Sequence, residues 1–442
     1  MRVPRRWLQA AGSTVAALTL LSGGLAGAAS QSSPLTTVYI QMWSGPEGTA
    51  MQTAVNYWDA HFEHRTHIKV VETQLGRVGY HSKIVSELLS KSPTPDIVYP
   101  FNFDIPRLAK AGTLVNLDRF VKTDKLINVS DFFPVAWKEG QYNGHQYGIP
   151  MDMSEPVLFY RKDLLKTPPN TWNQFLKDAA HFTRSINPKS PTLYGTTLYA
   201  ATGFAEPMQL WEEIFWPYGG HLFNAQGLPT LDSPAGIKAT EVGRTLVKDH
   251  EVPPDYQTYE YPQVLAALQS GAVAFAQEWN AAWPSLIDCS QTKYCHDFAY
   301  APIPGVRQKD GKVVRYYHVH TINLAINAAS KHIAAAYRVV RWLSSTQGGI
   351  IYTVAGGNTP RKSVFFSKAV AKVRPGYMNF LATQVDRHGK HEPPLLDMTT
   401  IDLVIMNADL NAAWSGQLSP AAALKKGDAQ ITALLKKDGE IK

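Results

Sequence analysis

An α/β fold, with a parallel sheet covered by helices on both faces, is what the opening of the mature part of this 442-residue chain predicts. Three observations carry the expectation. Short β-rich runs recur as TTVYIQM from Thr36, IKVVE from Ile68 and DIVY from Asp96. Between them lie stretches whose apolar residues fall three to four apart, as on one face of a helix. The two kinds of segment alternate, and a βαβαβ order joins parallel strands through crossover helices.

The elements follow in order. After TTVYIQM, Met51, Val55, Trp58 and Phe62 mark one helix face, and Tyr80 to Leu89 forms a second helix ahead of DIVY. Tyr142-Asn143-Gly144 is a turn signal, and near Gly148-Ile149-Pro150 the register changes. VLFYR, from Val157, then reads as a strand leading away from the first sheet. In TPPNTWNQF two prolines end any earlier helix, and Asn170 or Thr171 can cap the next. Helices are expected over 235–250 and 261–270, a strand at TINLAIN from Thr321, and a helix from Ile333 to Leu343. The chain is helical from about Met398, with Ser419-Pro420 starting the last helix as cap and first residue.

The N-terminus reads as an export signal over 1–28. Arg2, Arg5 and Arg6 make a cationic start, the run from Ala10 to Ala28 is apolar and small, and Ala26-Gly27-Ala28 fits an A-x-A cleavage site. Arg5-Arg6 ahead of Trp7-Leu8 weakly resembles a twin-arginine signal, so general and twin-arginine export both stay open. With no cysteine near the cleavage site, a lipid anchor is not expected. The mature protein belongs outside the cytoplasmic membrane, in a periplasm or on the membrane's outer face.

Without 1–28 the chain keeps about 410 residues, enough for two or three domains. An apolar content of 45% and an aromatic content of 11% describe a globular protein. Three arginines of the leader inflate the formal charge of +7, and the other basic residues are scattered, which argues against a nucleic-acid partner. Eleven Trp and twenty Tyr leave rings to spare for flat ligand platforms, although a core takes most such residues. Cys289 and Cys295 in DCSQTKYC suit a small disulfide loop in an oxidising compartment, stabilised by roughly 2 kcal/mol. A metal there would need more ligands than His296. No cofactor is expected.

Eight segments in order resemble the family 1 extracellular solute-binding proteins of ATP-driven importers, the maltose- and glycerol-3-phosphate-binding kinds most of all. They are MWSGPEG, SPTPDIVYP, RLAKAGTLVNLD, NGHQYGIPMDMSEPVLFYRKDLL with PPNTWNQF, YGGHLFN, LQSGAVAFAQEWNAAW, TINLAINAASKH and AAWSGQLSPAAAL. The resemblance covers essentially the whole mature chain. It implies a two-lobe periplasmic-binding-protein fold (type II-like), each lobe a mainly parallel sheet flanked by helices. One lobe would comprise 36–151 with 322–368, the other 152–321 with 369–442. Crossings would lie near Met151 to Glu155 and Tyr317 to Ile322. Ligand would sit between the lobes, beyond the carboxyl ends of the strands, and hinge closure would bury it. The implied partner is a membrane permease pair driven by a cytoplasmic ATPase, served by a monomeric binding protein.

Trp43, Ser44 and Glu47 follow the first strand, and Asn102, Phe103 and Asp104 the third. Asp152, Ser154 and Glu155 occupy the first crossing. Glu206 and Trp211 in TGFAEPMQLW match a segment that supplies an acid and aromatics in maltose-type members. Trp279 and Trp283 match a Trp-rich loop in which one ring stacks on ligand. Gly357 and Arg361 in GGNTPRKSV, His320 and Asp402 complete the expected lining. Structural readings stand beside several: Trp43 as core, Glu47 favoured at a helix N-terminus, Asp104 as a cap, Arg361 in a surface ion pair. His318 and His320 share a strand face, but no carboxylate stands at a third-ligand position in the sequence, so no metal is expected.

The acids Glu47, Asp104, Asp152, Glu155, Glu206, Glu278 and Asp402 accept hydrogen bonds from hydroxyls and repel anions. With tryptophan platforms they favour a neutral mono- or oligosaccharide. Near Ile401-Asp402-Leu403 the chain has neither the arginine of the glycerol-3-phosphate type nor the aromatic of the maltose type. Arg361, His318 and His320 keep a glycerol phosphate or glycerophosphodiester open. An exported glycoside hydrolase is the rival from another class, but no acid sits in a recognisable catalytic motif. A wall-associated adhesin is a third.

Overall fold

The computed structural model describes residues 34–442, so the leader and its cleavage site lie outside the described residues. The chain enters through β1 (Thr36–Trp43), α1 (Pro46–Trp58), β2 (Ile68–Leu75), α2 (Tyr80–Leu89) and β3 (Ile97–Val98). Val38, Ile40 and Met42 of β1 are fully buried, and Met51, Val55 and Trp58 of α1 pack in the same core. The Asn143-Gly144 turn closes a two-residue hairpin, with φ of 49° and 78° as such a turn needs.

β4 (Gly148–Ser154) then runs almost without pause into β5 (Pro156–Arg161). Thr171 caps the following helix by accepting from Gln174 N at 3.3 Å. Next come α3 (Glu206–Phe215), α4 (Pro234–Lys248), α5 (Tyr261–Ser270), β6 (Phe275–Trp279) and β7 (Phe298–Ala301). The return is made by β8 (Tyr317–His318) and β9 (His320–Ile326), followed by α6 (Ile333–Leu343), α7 (Thr346–Val354), α8 (Tyr377–His388) and α9 (Pro420–Lys437). Ser419 caps α9 and Pro420 begins it. Among the described residues no helix is long and apolar enough to cross a membrane.

Two main sheets result. The larger has the order β2-β1-β3-β9-β4, and the smaller β6-β5-β7. The larger sheet is parallel across β2, β1 and β3, while β9 runs antiparallel to both β3 and β4. In the smaller sheet β5 runs against both neighbours, which corrects the expectation of a mainly parallel second sheet. The physical reason is plain: β5 is buried on both faces, and a strand so placed reads as an unbroken apolar run whichever way its partners point.

The α/β two-lobe architecture stands. Each sheet has its own core, one around Ile40, Trp58 and Leu324, the other around Trp172, Trp211, Phe275 and Trp414. A third cluster, with Met153, Phe159, Trp279, Val319 and Tyr377, packs where the chain passes between the sheets. The two passages lie side by side, pairing His320 with Ser154 and Ile322 with Asp152, and the register shifts after Ile322. Such an irregularity bends a strand locally. Cys289 and Cys295 are disulfide-bonded, with Cα atoms 5.0 Å apart.

Candidate functional site

Between the two sheets lies a cavity of about 530 Å³, within the range of small-molecule sites. The larger sheet contributes the carboxyl ends of its strands: Trp43 at the end of β1, Arg77 after β2, and Phe101 and Phe103 after β3. From the other side come Glu206 and Gln209 of α3, Tyr261 at the start of α5, Trp279 at the end of β6, and Thr399. Ser154 and His320 reach in from the two passages.

One wall is aromatic and continuous. Trp43 stacks on Phe101 at 5.0 Å, and Phe101 on Phe103 at 5.1 Å. His320 lies 5.2 Å from Phe101 and 6.1 Å from Trp279, so the rings join the two halves. Sugars present C–H faces that suit such a surface, and their rims present hydroxyls.

The polar side is organised by Arg77. Its Nε donates to Glu260 Oε2 at 3.1 Å, its Nη2 lies 3.8 Å from Glu206 Oε1, and its guanidinium sits over the Tyr261 ring at 5.5 Å. Two carboxylates therefore already balance this cation. His81 Nδ1 lies 3.0 Å from Asp104 Oδ2, whose other oxygen accepts from Thr399 Oγ1 at 2.9 Å. Burial pulls the His81 imidazole down, but the Asp104 hydrogen bond and charge carry it above its usual value. Three buried polar atoms on lining residues have no partner among the described residues: Gln209 Nε2, the Tyr261 hydroxyl and His320 Nδ1. A buried polar group costs stability unless something bonds to it. Burial holds His320 down at about 3, with the neighbouring charges adding to the effect, so its ring is neutral at neutral pH.

Burial pushes Glu206 up to about 7, partly offset by Arg77. Its folded value thus exceeds its ordinary 4.5, and folding takes up a proton there. That contribution is complete below about 4.5 and lost as pH rises through about 7. Glu206→Gln is expected to gain on the parent by on the order of 3 kcal/mol between about pH 5 and about pH 8. Urea unfolding at the two pH values measures this, and a difference that stays constant would contradict it.

Of the residues expected from sequence, the fold brings Trp43, Glu47, Phe103, Ser154, Glu206, Trp279 and His320 to the cavity. Glu47 also accepts from Trp43 Nε1 at 3.2 Å, fixing that ring. The remainder stand elsewhere, each for a physical reason. Ser44 is exposed beside the lining. Asn102 points inward and donates to Glu139 Oε1 at 3.0 Å. Asp104 stands one layer back, behind His81. Asp152 accepts from the Tyr352 hydroxyl and Asn358 N, each at 2.8 Å, so it braces the passage rather than facing ligand.

Trp211 is buried against Phe215 at 4.5 Å and donates to Thr240 Oγ1 at 2.9 Å. Trp283 packs between Phe159 and Tyr377. Gly357 abuts the Tyr352 ring, where a Cβ would come within 2.0 Å. Arg361 is 2% exposed and bonds Asp131, Ile127 O and Ser344 O. Glu155 is held by Asn280, and Glu278 by Tyr199. Asp402 is fully buried near Glu392.

Arg77, His81, Phe101, Gln209, Tyr261 and Thr399 were missed. Arg77 follows the second strand in RVGYHS, and the rule that selects Trp43 and Phe103, proximity to a strand's carboxyl end, reaches it as well. Gly79, at φ 82° before α2, marks the same bend. Tyr261 and Thr399 carry no comparable signal.

Known proteins share this architecture. The maltose-bound MalE3 of T. maritima superposes with a TM-score of 0.79, at 21% identity, covering 90% of this chain and 100% of that one. A ribitol complex of an ABC transporter solute-binding protein from Agrobacterium radiobacter K84 also gives 0.79, at 23% identity, covering 91% and 100%. In sequence, a probable amino-acid ABC transporter periplasmic-binding protein of Sinorhizobium fredii, y4oP, is 21% identical over 394 residues, 86% of each chain. The maltotriose-binding protein of Pyrococcus abyssi is 25% identical over 256 residues, 57% of this chain and 51% of that protein. Residues 44–350 match the bacterial extracellular solute-binding proteins, and the chain belongs to that family.

Proposed function

We propose that this protein is exported and reversibly binds a neutral mono- or oligosaccharide, or a polyol of similar chemistry, delivering it to an ABC permease without chemical change. The lobes, 36–151 with 322–368 and 152–321 with 369–442, would close on the ligand. One observation supports the ligand class above the others: an aromatic wall from Trp43 to Trp279 shares the cavity with polar atoms of Gln209, Tyr261 and His320 that have no partner among the described residues. Stacking and hydrogen bonds of roughly 1–3 kcal/mol each reach the ~8 kcal/mol of a micromolar complex. A phosphate ester fits less well. Arg361, which kept that ligand open, is committed to Asp131, and Arg77 is committed to Glu206 and Glu260.

Thermal-shift screening tests this, because a ligand bound only by the folded form raises the apparent Tm. A panel of neutral sugars, polyols, glycerol phosphates and amino acids is expected to give its largest shift with a sugar or polyol, which is recovered unaltered. A shift confined to amino acids or phosphate esters would overturn the ligand class. Turnover of a glycan would overturn the binding role.

A further inference from the structure

Among the buried titratable side chains that lie off the cleft, one group converges. Glu212 on α3, His318 on β8, Glu392 and Asp402 come from distant parts of the chain, and none is more than 4% exposed. His318 Nδ1 lies 2.7 Å from Glu212 Oε2. One ligand atom each from Glu212, His318 and Glu392 fall within 4.8 Å of one another, with Asp402 beside Glu392. The carboxylate that sequence reading could not find for His318 is supplied twice over by folding.

Few of these atoms are satisfied. Glu212 Oε1 and His318 Nε2 are buried with no hydrogen-bond partner among the described residues, and the Glu392 and Asp402 carboxyl groups meet nothing there but each other. Three carboxyl groups crowded away from water need protons or a cation among them. The nearby lysine, Lys390, lays its ammonium over the Tyr316 ring at 3.8 Å and attracts Glu212, but forms no salt bridge with the three acids among the described residues.

We propose that Glu212, His318 and Glu392 bind a divalent transition-metal ion of the zinc class. One imidazole and two carboxylates suit zinc, for which three protein ligands leave the fourth position to water. Calcium and magnesium demand six or more ligands, nearly all oxygen. Glu392 also lines a recess of about 40 Å³ with Lys138, Gln141 and Pro394. An ion here would tie α3 to β8, the strand leading into the second passage between the sheets. This site is independent of what the cleft binds.

Zinc itself is the probe. Chelator-stripped mature protein is expected to take up one equivalent of Zn²⁺ with a rise in Tm. Diffraction at the zinc edge should place an anomalous peak among Glu212, His318 and Glu392. Glu392→Gln is expected to weaken zinc binding at least tenfold, with cleft-ligand affinity changed less than twofold. Should that variant fail to fold, the anomalous peak in the parent protein decides alone. No saturable zinc uptake, or a peak only at an exposed site such as His296, overturns the proposal and leaves the acids sharing protons. Zinc uptake unaltered by Glu392→Gln overturns it equally.

Discussion

Trp279→Ala is expected to weaken binding of the cleft ligand by ten- to a hundredfold while the protein stays folded. Trp279 ends β6 at the cavity, is 7% exposed, and continues the aromatic wall through His320. Removing the indole deletes one apolar platform and part of the barrier to water. The stacking and burial lost are together about 1.5–3 kcal/mol, and each 1.4 kcal/mol is tenfold in Kd. Isothermal titration reads the change directly. Trp211→Ala and Trp283→Ala are the controls, since both rings pack in cores away from the cavity. They are expected to lower stability and spare affinity in whatever protein remains folded. Normal binding by Trp279→Ala would move the site elsewhere.

Arg361→Met is expected to have the opposite signature, lowering stability by about 3–5 kcal/mol and leaving affinity intact. The guanidinium lies over Phe132 at 4.1 Å and donates to Asp131, Ile127 O and Ser344 O. It therefore ties the 127–132 loop to the end of α6 and to its own segment. Truncation leaves two carbonyls unpaired and the Asp131 carboxylate without its cation. Burial works against that carboxylate, yet its bonds from Ser363 and Arg361 hold it below the usual range. Urea unfolding measures the loss, and a change below about 1 kcal/mol would contradict the assignment.

These two variants also show what was legible in the sequence. The alternation of β-rich and helix-periodic segments correctly placed β1, α1, β2, α2, β3 and α6, because the helices bury one face in a regular repeat and the strands are short β-rich runs between them. Strand direction in the smaller sheet was not legible, since an apolar run carries no polarity. For the site, position after a strand's carboxyl end was a good guide: Trp43, Glu47 and Phe103 line the cavity. Residue chemistry alone was a poor one. Arginine, aspartate and tryptophan look like ligand contacts wherever they occur, yet Arg361, Asp152 and Trp211 spend their polar atoms inside the protein. Which acid meets which base depends on tertiary packing. That is why the pairing of Glu212 with His318, 106 residues apart, escaped notice until the fold was known.

A hydroxylated guest held between the two sheets is the central expectation. A crystal structure with the sugar or polyol that gives the largest thermal shift tests it most directly. Density for that molecule is expected between the Trp43 side and Trp279, within hydrogen-bond reach of Gln209, Tyr261 or His320. Density only on an outer face, with this cavity holding solvent alone at saturating ligand, would contradict it.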